Sequence, residues 1–321
     1  MSEECGISLT MLVIDDDERY VDALFRDARR VGIRLVHAAS LEEGRGVMEG
    51  AEGAGICGVI LDVECYKRRD EATPDSSFII AATKYFTEKA PHLPVVALTG
   101  VQTLFERYVK DFAGIWEVYK KGRDEAAMLK RLRERAMELE WVKIVGRYPD
   151  VFRVVDSFLG ADTRQSLIDT LRTMDVAAPA GIRGNLANLR SIQEKLYIIL
   201  HQYRPDMVPR RFVYYEQGDQ PLKSVNVAAI LEHLKGNFDL RSQKLQGEVF
   251  LHYRSPLYRF SELVYRVSSD GIHALDEDSA DKPSRYTVQA VAHALLELIL
   301  WLGRVTEEGK ASAEQKQARS L

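Results

Sequence analysis

Hydrophobic residues in the first part of the chain alternate between unbroken runs and spacings of three and four. Residues 8–14 form an apolar run that predicts a buried strand, and Val21, Leu24, Phe25 and Ala28 line one face of a helix over residues 19–31. Residues 33–38 read as a second strand, and Ser40 is placed to cap a helix containing Leu41, Gly44 and Met48. A third strand covers residues 59–61. It is followed by a helix from Ser77 whose inner face is Phe78, Ile79, Ala82, Tyr85 and Phe86, and which Pro91 ends. Residues 95–98 make a fourth strand, residues 103–112 a helix with Leu104, Phe105, Tyr108 and Phe112 inward, and residues 116–119 a fifth strand. Strands alternating with helices imply a parallel sheet covered on both faces.

The pattern then becomes helical throughout. Asp124 stands at an N-cap position before a stripe of Ala126, Leu129, Leu132, Ala136, Leu139 and Ile144, which Gly146 and Pro149 stop. A helix of that reach either packs on its own sheet or runs past it to couple two domains, and the pattern leaves both open. Further helices are predicted over residues 151–159, 163–174, 186–203, 225–234, 256–267 and 286–305. Residues 177–184, with Pro179 and two glycines, read as a loop, and residues 248–253 as a short extended segment. Residues 307–321 lack large apolar side chains apart from the last and read as a flexible tail. The fold class expected is α/β: an N-terminal (βα)5 doubly wound parallel sheet over residues 1–145, then a mainly helical output domain over residues 146–306 and the tail.

Composition narrows the function without naming it. A chain of 321 residues can bury two cores. Its net charge of −4 argues against a globally basic nucleic-acid binder and leaves a local basic surface, such as Arg204, Arg210 and Arg211, open. The unbroken apolar runs are shorter than a membrane span, and Glu3 and Glu4 stand where a secretory signal carries positive charge. The expected setting is cytoplasmic, with no membrane contact. Cys5, Cys57 and Cys65 are odd in number and lack CxxC spacing, so neither a disulfide framework nor a zinc site is indicated.

Four separated positions carry the chemistry. They are the acidic run Asp15, Asp16 and Asp17, then Asp62 after Val59, Ile60 and Leu61, then Thr99 and Gly100, then Lys120 and Lys121. Each stands where an apolar run stops, which in a parallel α/β sheet is the carboxyl edge where ligands collect. An aspartate or threonine at one strand end is commonly a cap or a turn residue, but the joint order and spacing are more specific than any single position.

This N-terminal part resembles the receiver domain of two-component response regulators. The resemblance implies that Asp62 is the phosphoryl acceptor and that Mg²⁺ is held by Asp15, Asp16, Asp62 and the carbonyl of Glu64. It also implies that Thr99 hydrogen-bonds the phosphoryl group and that a lysine pairs with its charge. Lys120 and Lys121 compete for that role; the register favours Lys121, because Lys121, Gly122, Arg123 and Asp124 then fall where the family usually has Lys-Pro-Phe-Asp. Gly122 departs from the usual proline, and Val118 stands where the family has its switch aromatic. Residues 64–76 form a long polar loop after the acceptor, of the kind that is a binding element or disordered. The partner implied is a histidine kinase or a phosphotransfer protein.

The C-terminal part shows no winged helix, Gly-rich phosphate loop, histidine-kinase box or metal-ligand cluster. Arg266 and His273, separated by residues 267–272, resemble the Arg-spacer-His element of HEPN domains. That resemblance implies RNA cleavage with His273 as acid or base and Arg266 facing the transition-state charge. The function expected is a phosphorylation-dependent response regulator whose helical output domain acts through protein–protein interaction, with a receiver-regulated HEPN-like ribonuclease as the alternative. Whether the chain is an enzyme, forms a homodimer or touches nucleic acid stays open.

Overall fold

The computed structural model describes residues 9–50, 52–111, 115–215, 220–237, 247–274 and 282–319, with side chains beyond residue 271 in the fifth segment and beyond residue 308 in the last left out. The chain divides into two compact units, Met1–Arg147 and Tyr148–Leu321.

In the first unit the strands are β1 (Leu9–Ile14), β2 (Ile33–Ala38), β3 (Ile56–Asp62), β4 (Val95–Thr99) and β5 (Glu117–Lys120). They form one sheet in the order β2-β1-β3-β4-β5, and every pairing is parallel. Helices α1 (Glu18–Arg30), α2 (Leu41–Glu49), α3 (Ser77–Lys89), α4 (Gln102–Asp111) and α5 (Glu125–Met137) fill the crossovers and the end of the unit. This order reverses direction between β1 and β3, the place where doubly wound sheets open a crevice at their carboxyl edge. β3 begins earlier than its apolar run predicts, because Ile56 already pairs with Thr10 although Gly58 interrupts the run.

Side-chain alternation along the strands splits the core between the two faces of the sheet. Leu12, Ile14, Val59, Leu61 and Ala97 pack with Phe78, Ile79, Ala82 and Phe86 of α3 and Tyr108 of α4. Met11, Val13, Ile60, Val96 and Leu98 pack on the opposite face with Val21, Leu24 and Ala28 of α1 and Met128, Leu129, Leu132 and Ala136 of α5. At Gly44 of α2 a Cβ would lie 2.3 Å from Ile14 Cδ1, so glycine is what lets this helix approach β1.

Ser40 caps α2 as its sequence position predicts: its hydroxyl accepts from the Glu43 amide at 3.2 Å, while the Glu43 carboxylate accepts from the Ala39 amide at 2.9 Å. Replacing this buried hydroxyl by Ser40→Ala is expected to cost about 1 kcal/mol, read as a lowered urea midpoint with an unchanged slope.

The stripe predicted to run through residue 144 is interrupted. Glu138 and Leu139 donate to the carbonyls of Arg135 and Ala136, a tight turn that separates α5 from α6 (Glu140–Arg147). Leu139 packs against both core clusters at that turn, so burial of its side chain accompanies the break. Asp124 precedes α5 without capping it through its side chain; the carboxylate instead accepts from the Lys120 amide at 3.0 Å and pairs with Arg123.

The second unit is helical: α7 (Pro149–Val154), α8 (Ala161–Thr173), α9 (Pro179–Tyr203), α10 (Val227–Leu234), α11 (Pro256–Ala274) and α12 (Arg285–Arg319). A π turn, Val155–Leu159, continues α7. The expected loop over residues 177–184 is confined to its first two residues, because Pro179 occupies the first turn of α9, where its missing amide costs no hydrogen bond. No strand forms over residues 248–253; the amides of Phe250 and Leu251 donate to the Leu234 carbonyl instead. Helix α12 extends through the expected tail to Arg319.

α9, α11 and α12 pack on one another around Leu186, Leu189, Ile192, Leu196, Val264, Leu295, Ile299 and Leu302. Inside this core the Gln193 amide donates to the Ser261 carbonyl at 2.8 Å, and the Tyr197 hydroxyl bonds the Ser261 hydroxyl, which links α9 to α11 through buried polar groups. Within α12, Arg285–Glu308 is long and apolar enough to cross a membrane by length and composition, although no single apolar run in the sequence suggested it. Its most apolar window is 67% buried inside the unit, as in the core helix of a helical bundle.

Candidate functional site at the carboxyl edge of the sheet

Backbone ladders continue one step past the strand ends and set the site's spacing. The Asp15 amide donates to Ala38 at 3.1 Å, Val63 to Leu98 at 2.9 Å and Lys121 to Thr99 at 2.9 Å. Asp15, Asp62, Thr99 and Lys121 are thereby delivered from β1, β3, β4 and β5 to one edge. Asp15 is 0%, Asp62 9% and Thr99 2% exposed.

The Lys121 ammonium bridges the two buried carboxylates, 2.7 Å from Asp15 Oδ2 and 2.6 Å from Asp62 Oδ2. Asp15 Oδ1 accepts from the Asp17 amide at 3.0 Å, and Asp62 Oδ1 from the Val63 amide at 2.7 Å. The His37 ring lies 2.7 Å through Nε2 from the Asp15 carbonyl, tying β2 to the same corner. Asp16 is half-buried beside them, and carboxylate oxygens of Asp15, Asp16 and Asp62 lie within 4.8 Å of one another. Three hard oxygen donors at that spacing suit a divalent cation such as Mg²⁺, so the donor set fits the group that the receiver resemblance implies.

The Asp62 pKa is raised to about 7, first by burial and then by the negative Asp15, while Lys121 and the Val63 amide only partly oppose them. Burial likewise raises Asp15. Burial works against the charge of Lys121, but Asp62 and Asp15 outweigh it and hold the amine above its ordinary value. The cluster therefore holds more negative than positive charge once both acids ionise, which a cation or an incoming protonated partner can relieve.

Gly122 follows the lysine with φ +76°, a left-handed conformation closed to the proline that usually stands there. Lys120 points away: its ammonium bonds the Gln102 side chain. The structure thus separates the two competing lysines and brings Lys121 to the acids. Thr99 Oγ1 accepts from the Val101 amide at 3.2 Å, which holds the hydroxyl at the edge.

The loop after Asp62 is built into the fold. Carbonyls of Tyr66 and Lys67 accept from the first two amides of α2, Leu41 and Glu42, at 2.9 and 3.0 Å, satisfying donors a helix leaves open. Isolated bridges join Ser40 to Tyr66 and Cys65 to Asp75. The Lys67 amide donates to Glu71 at 2.6 Å and its ammonium to the Ser77 hydroxyl at 2.6 Å. Glu64 is half-buried two residues past Asp62, and its carboxylate is not among the three that converge. Cys57 and Cys65 are buried, their thiols donating to the Thr10 and Ala39 carbonyls at 3.1 and 3.5 Å, while Cys5 lies outside the described residues.

His37 and Tyr20 escaped the sequence reading, and Asp17, read there as part of the acidic run, has a different role. Asp17 caps α1, accepting from the Arg19 and Tyr20 amides at 3.1 Å each, so its carboxylate is committed to the helix. His37 braces Asp15, and the Lys121 ammonium lies 4.6 Å from the centre of the Tyr20 ring. Only the capping role had a signal, an aspartate directly before a helical stripe.

The C-terminal pair is not assembled into a site among the described residues. The Arg266 guanidinium is 3.2 Å from Glu262 on its own helix, and the His273 side chain lies outside the described residues. Of the basic cluster, Arg204 pairs with Asp206 at 2.7 Å, and Arg210 and Arg211 lie over the rings of Tyr214 and Phe212.

No protein-family model and no curated protein matches the chain. Its structure is similar to that of a response regulator receiver domain protein from Clostridium thermocellum. That match has 20% sequence identity, covers 40% of this chain and 93% of the other, and has a TM-score of 0.32. The N-terminal unit has the α/β fold that its sequence leads one to expect, a doubly wound sheet of five parallel strands alternating with helices. The likeness of the C-terminal part to HEPN domains finds no support.

Proposed function

We propose that the N-terminal unit is a phosphoryl-accepting switch of the response-regulator kind, and that the helical unit is its output. The observation that carries this reading is the triad of Asp15, Asp62 and Lys121, two buried acids bridged by one amine at a sheet edge. A structural ion pair needs one acid for one base; a second buried carboxylate costs stability, a cost characteristic of groups kept for their chemistry.

In this reading an Asp62 carboxylate oxygen attacks the phosphorus of a phosphohistidine on a histidine kinase or phosphotransfer protein. A P–O bond forms as the P–N bond breaks, and the departing imidazole keeps the electron pair and takes up a proton. Lys121, no longer facing a free carboxylate at Asp62, pairs with a phosphoryl oxygen, and the Thr99 hydroxyl donates to another. Asp15, Asp16, Asp62 and the Glu64 carbonyl would hold Mg²⁺, which supplies positive charge that offsets the repulsion between carboxylate and phosphoryl oxygens. The new group adds about −1.5 to −2 of charge at neutral pH, enough to reorganise contacts at the edge. The helical unit then acts through contacts with another protein or a second copy of the chain.

Cation binding should carry the signature of Asp62. Its raised pKa of about 7 means that protons compete with the metal below that value. Titration calorimetry with Mg²⁺ should give affinity roughly tenfold weaker at about pH 6 than at about pH 8, whereas a flat profile would separate Asp62 from the metal. The output is tested by light scattering of the whole chain with Mg²⁺, with and without beryllofluoride. A change in mass or shape that Asp62→Asn abolishes supports a switch coupled to assembly. No change in either protein removes self-assembly as the output.

A further inference from the structure

Tyr20 closes a ring of contacts around the proposed phosphoryl site that neither the resemblance nor the site residues assign. It sits in the first turn of α1, where the Asp17 cap receives its amide at 3.1 Å. Its hydroxyl donates to Glu125 Oε1 at 3.1 Å, joining α1 to the start of α5. The same carboxylate oxygen accepts the Gly122 amide, the residue next to Lys121. The Lys121 ammonium, with its side chain 15% exposed, lies 4.6 Å from the centre of the Tyr20 ring while it bridges Asp15 and Asp62. The circuit therefore runs from Asp15 through Asp17, Tyr20, Glu125 and Gly122 back to Lys121.

We propose that Tyr20 is a positioning residue: its ring, locked by Glu125, holds the Lys121 ammonium where a phosphoryl oxygen on Asp62 will need it. A lysine carries four rotatable bonds and a point charge, so without an external brace its amine samples many positions, while a ring face offers attraction from the side that the acids leave open. The acids alone do not fix the amine through the reaction, because the Asp62 oxygen it contacts is converted during phosphoryl transfer. The ring contact survives that conversion. This inference rests on the phosphoryl-accepting reading of the site.

The test uses the full chain as wild type, Tyr20→Phe, which keeps the ring and loses the Glu125 bond, and Tyr20→Leu, which loses the ring. A lysine-selective ¹H–¹⁵N spectrum of the Mg²⁺-free protein should show a protected Lys121 ammonium signal, assigned by its loss in Lys121→Met. The signal should persist in Tyr20→Phe and be lost in Tyr20→Leu. With Mg²⁺ and acetyl phosphate, the labelling rate should fall roughly three- to tenfold in Tyr20→Leu and less in Tyr20→Phe. A Lys121 signal retained in Tyr20→Leu overturns the proposal, as does a lost signal with an unchanged rate. Tyr20→Met, closer in volume, replaces Tyr20→Leu if the latter melts early. If wild type accepts no phosphoryl group while the Lys121 signal follows the ring as described, the phosphoryl reading fails and the brace on Lys121 does not.

Discussion

Lys121→Met should lower the stability of the cation-free protein by about 3–5 kcal/mol at about pH 8, the largest effect of any single change at the sheet edge. Asp15 and Asp62 would remain buried with their shared counter-ion gone, and the charge of Asp15 raises the pKa of Asp62. The loss should depend on pH in a definite sense. Lowering the pH protonates the two acids in the folded variant before it protonates them in the unfolded chain, so the deficit shrinks on acidification and disappears below the unfolded carboxylate range near 3.8. Divalent cations should restore part of the loss, because they replace the missing positive charge. Chemical denaturation across pH, with and without Mg²⁺, checks all three points; a variant as stable as wild type at about pH 8 would mean that the amine neutralises nothing.

Asp62→Asn should move stability the other way. The folded-state pKa of Asp62, about 7, lies above its ordinary 3.8, so the folded protein binds the proton more tightly than the unfolded chain between those values. Wild-type stability therefore falls as pH rises through that window and levels off above it. Asparagine removes the charge and leaves Lys121 paired with Asp15 alone, so the variant should exceed wild type by about 1–3 kcal/mol at about pH 8 without metal. The gain should vanish near the unfolded pKa. Destabilisation at all pH values would instead show that the Lys121–Asp62 contact outweighs the burial of the second acid.

These opposite signs follow from the same three residues, and their positions were legible in the sequence for a physical reason. Strands β1, β3 and β4 are buried on both faces, so their side chains read as unbroken apolar runs, and the first polar residue after each run marks the sheet edge. Asp15, Asp62 and Thr99 are those residues or their immediate neighbours. β5 is only half-buried, so no clean apolar run marks its end, and the preference for Lys121 over Lys120 rested on the register of the resemblance alone.

The remaining features depend on contacts between segments far apart in sequence. Tyr20 meets Lys121 and Glu125 across more than a hundred residues of chain, and no local periodicity encodes such a meeting. The loop after Asp62 looks unstructured because its composition is polar, yet its carbonyls cap α2, a role that any residue's backbone can fill. Pro179 and its neighbouring glycines suggested a loop through composition, whereas proline at the first turn is compatible with a helix. The break at Glu138 and Leu139 is similar, since its helical spacing continues while Leu139 packs against both clusters of the first unit.

The most direct test of the phosphoryl-accepting reading is intact-protein mass spectrometry after incubation with Mg²⁺ and acetyl phosphate, followed by borohydride reduction and peptide mapping to place the acyl phosphate. The account predicts the added mass of one phosphoryl group in wild type, reduction at Asp62, and no addition in Asp62→Asn or in wild type treated with a chelator. A phosphoryl group on another residue, or none on a folded wild type that binds Mg²⁺, would contradict it.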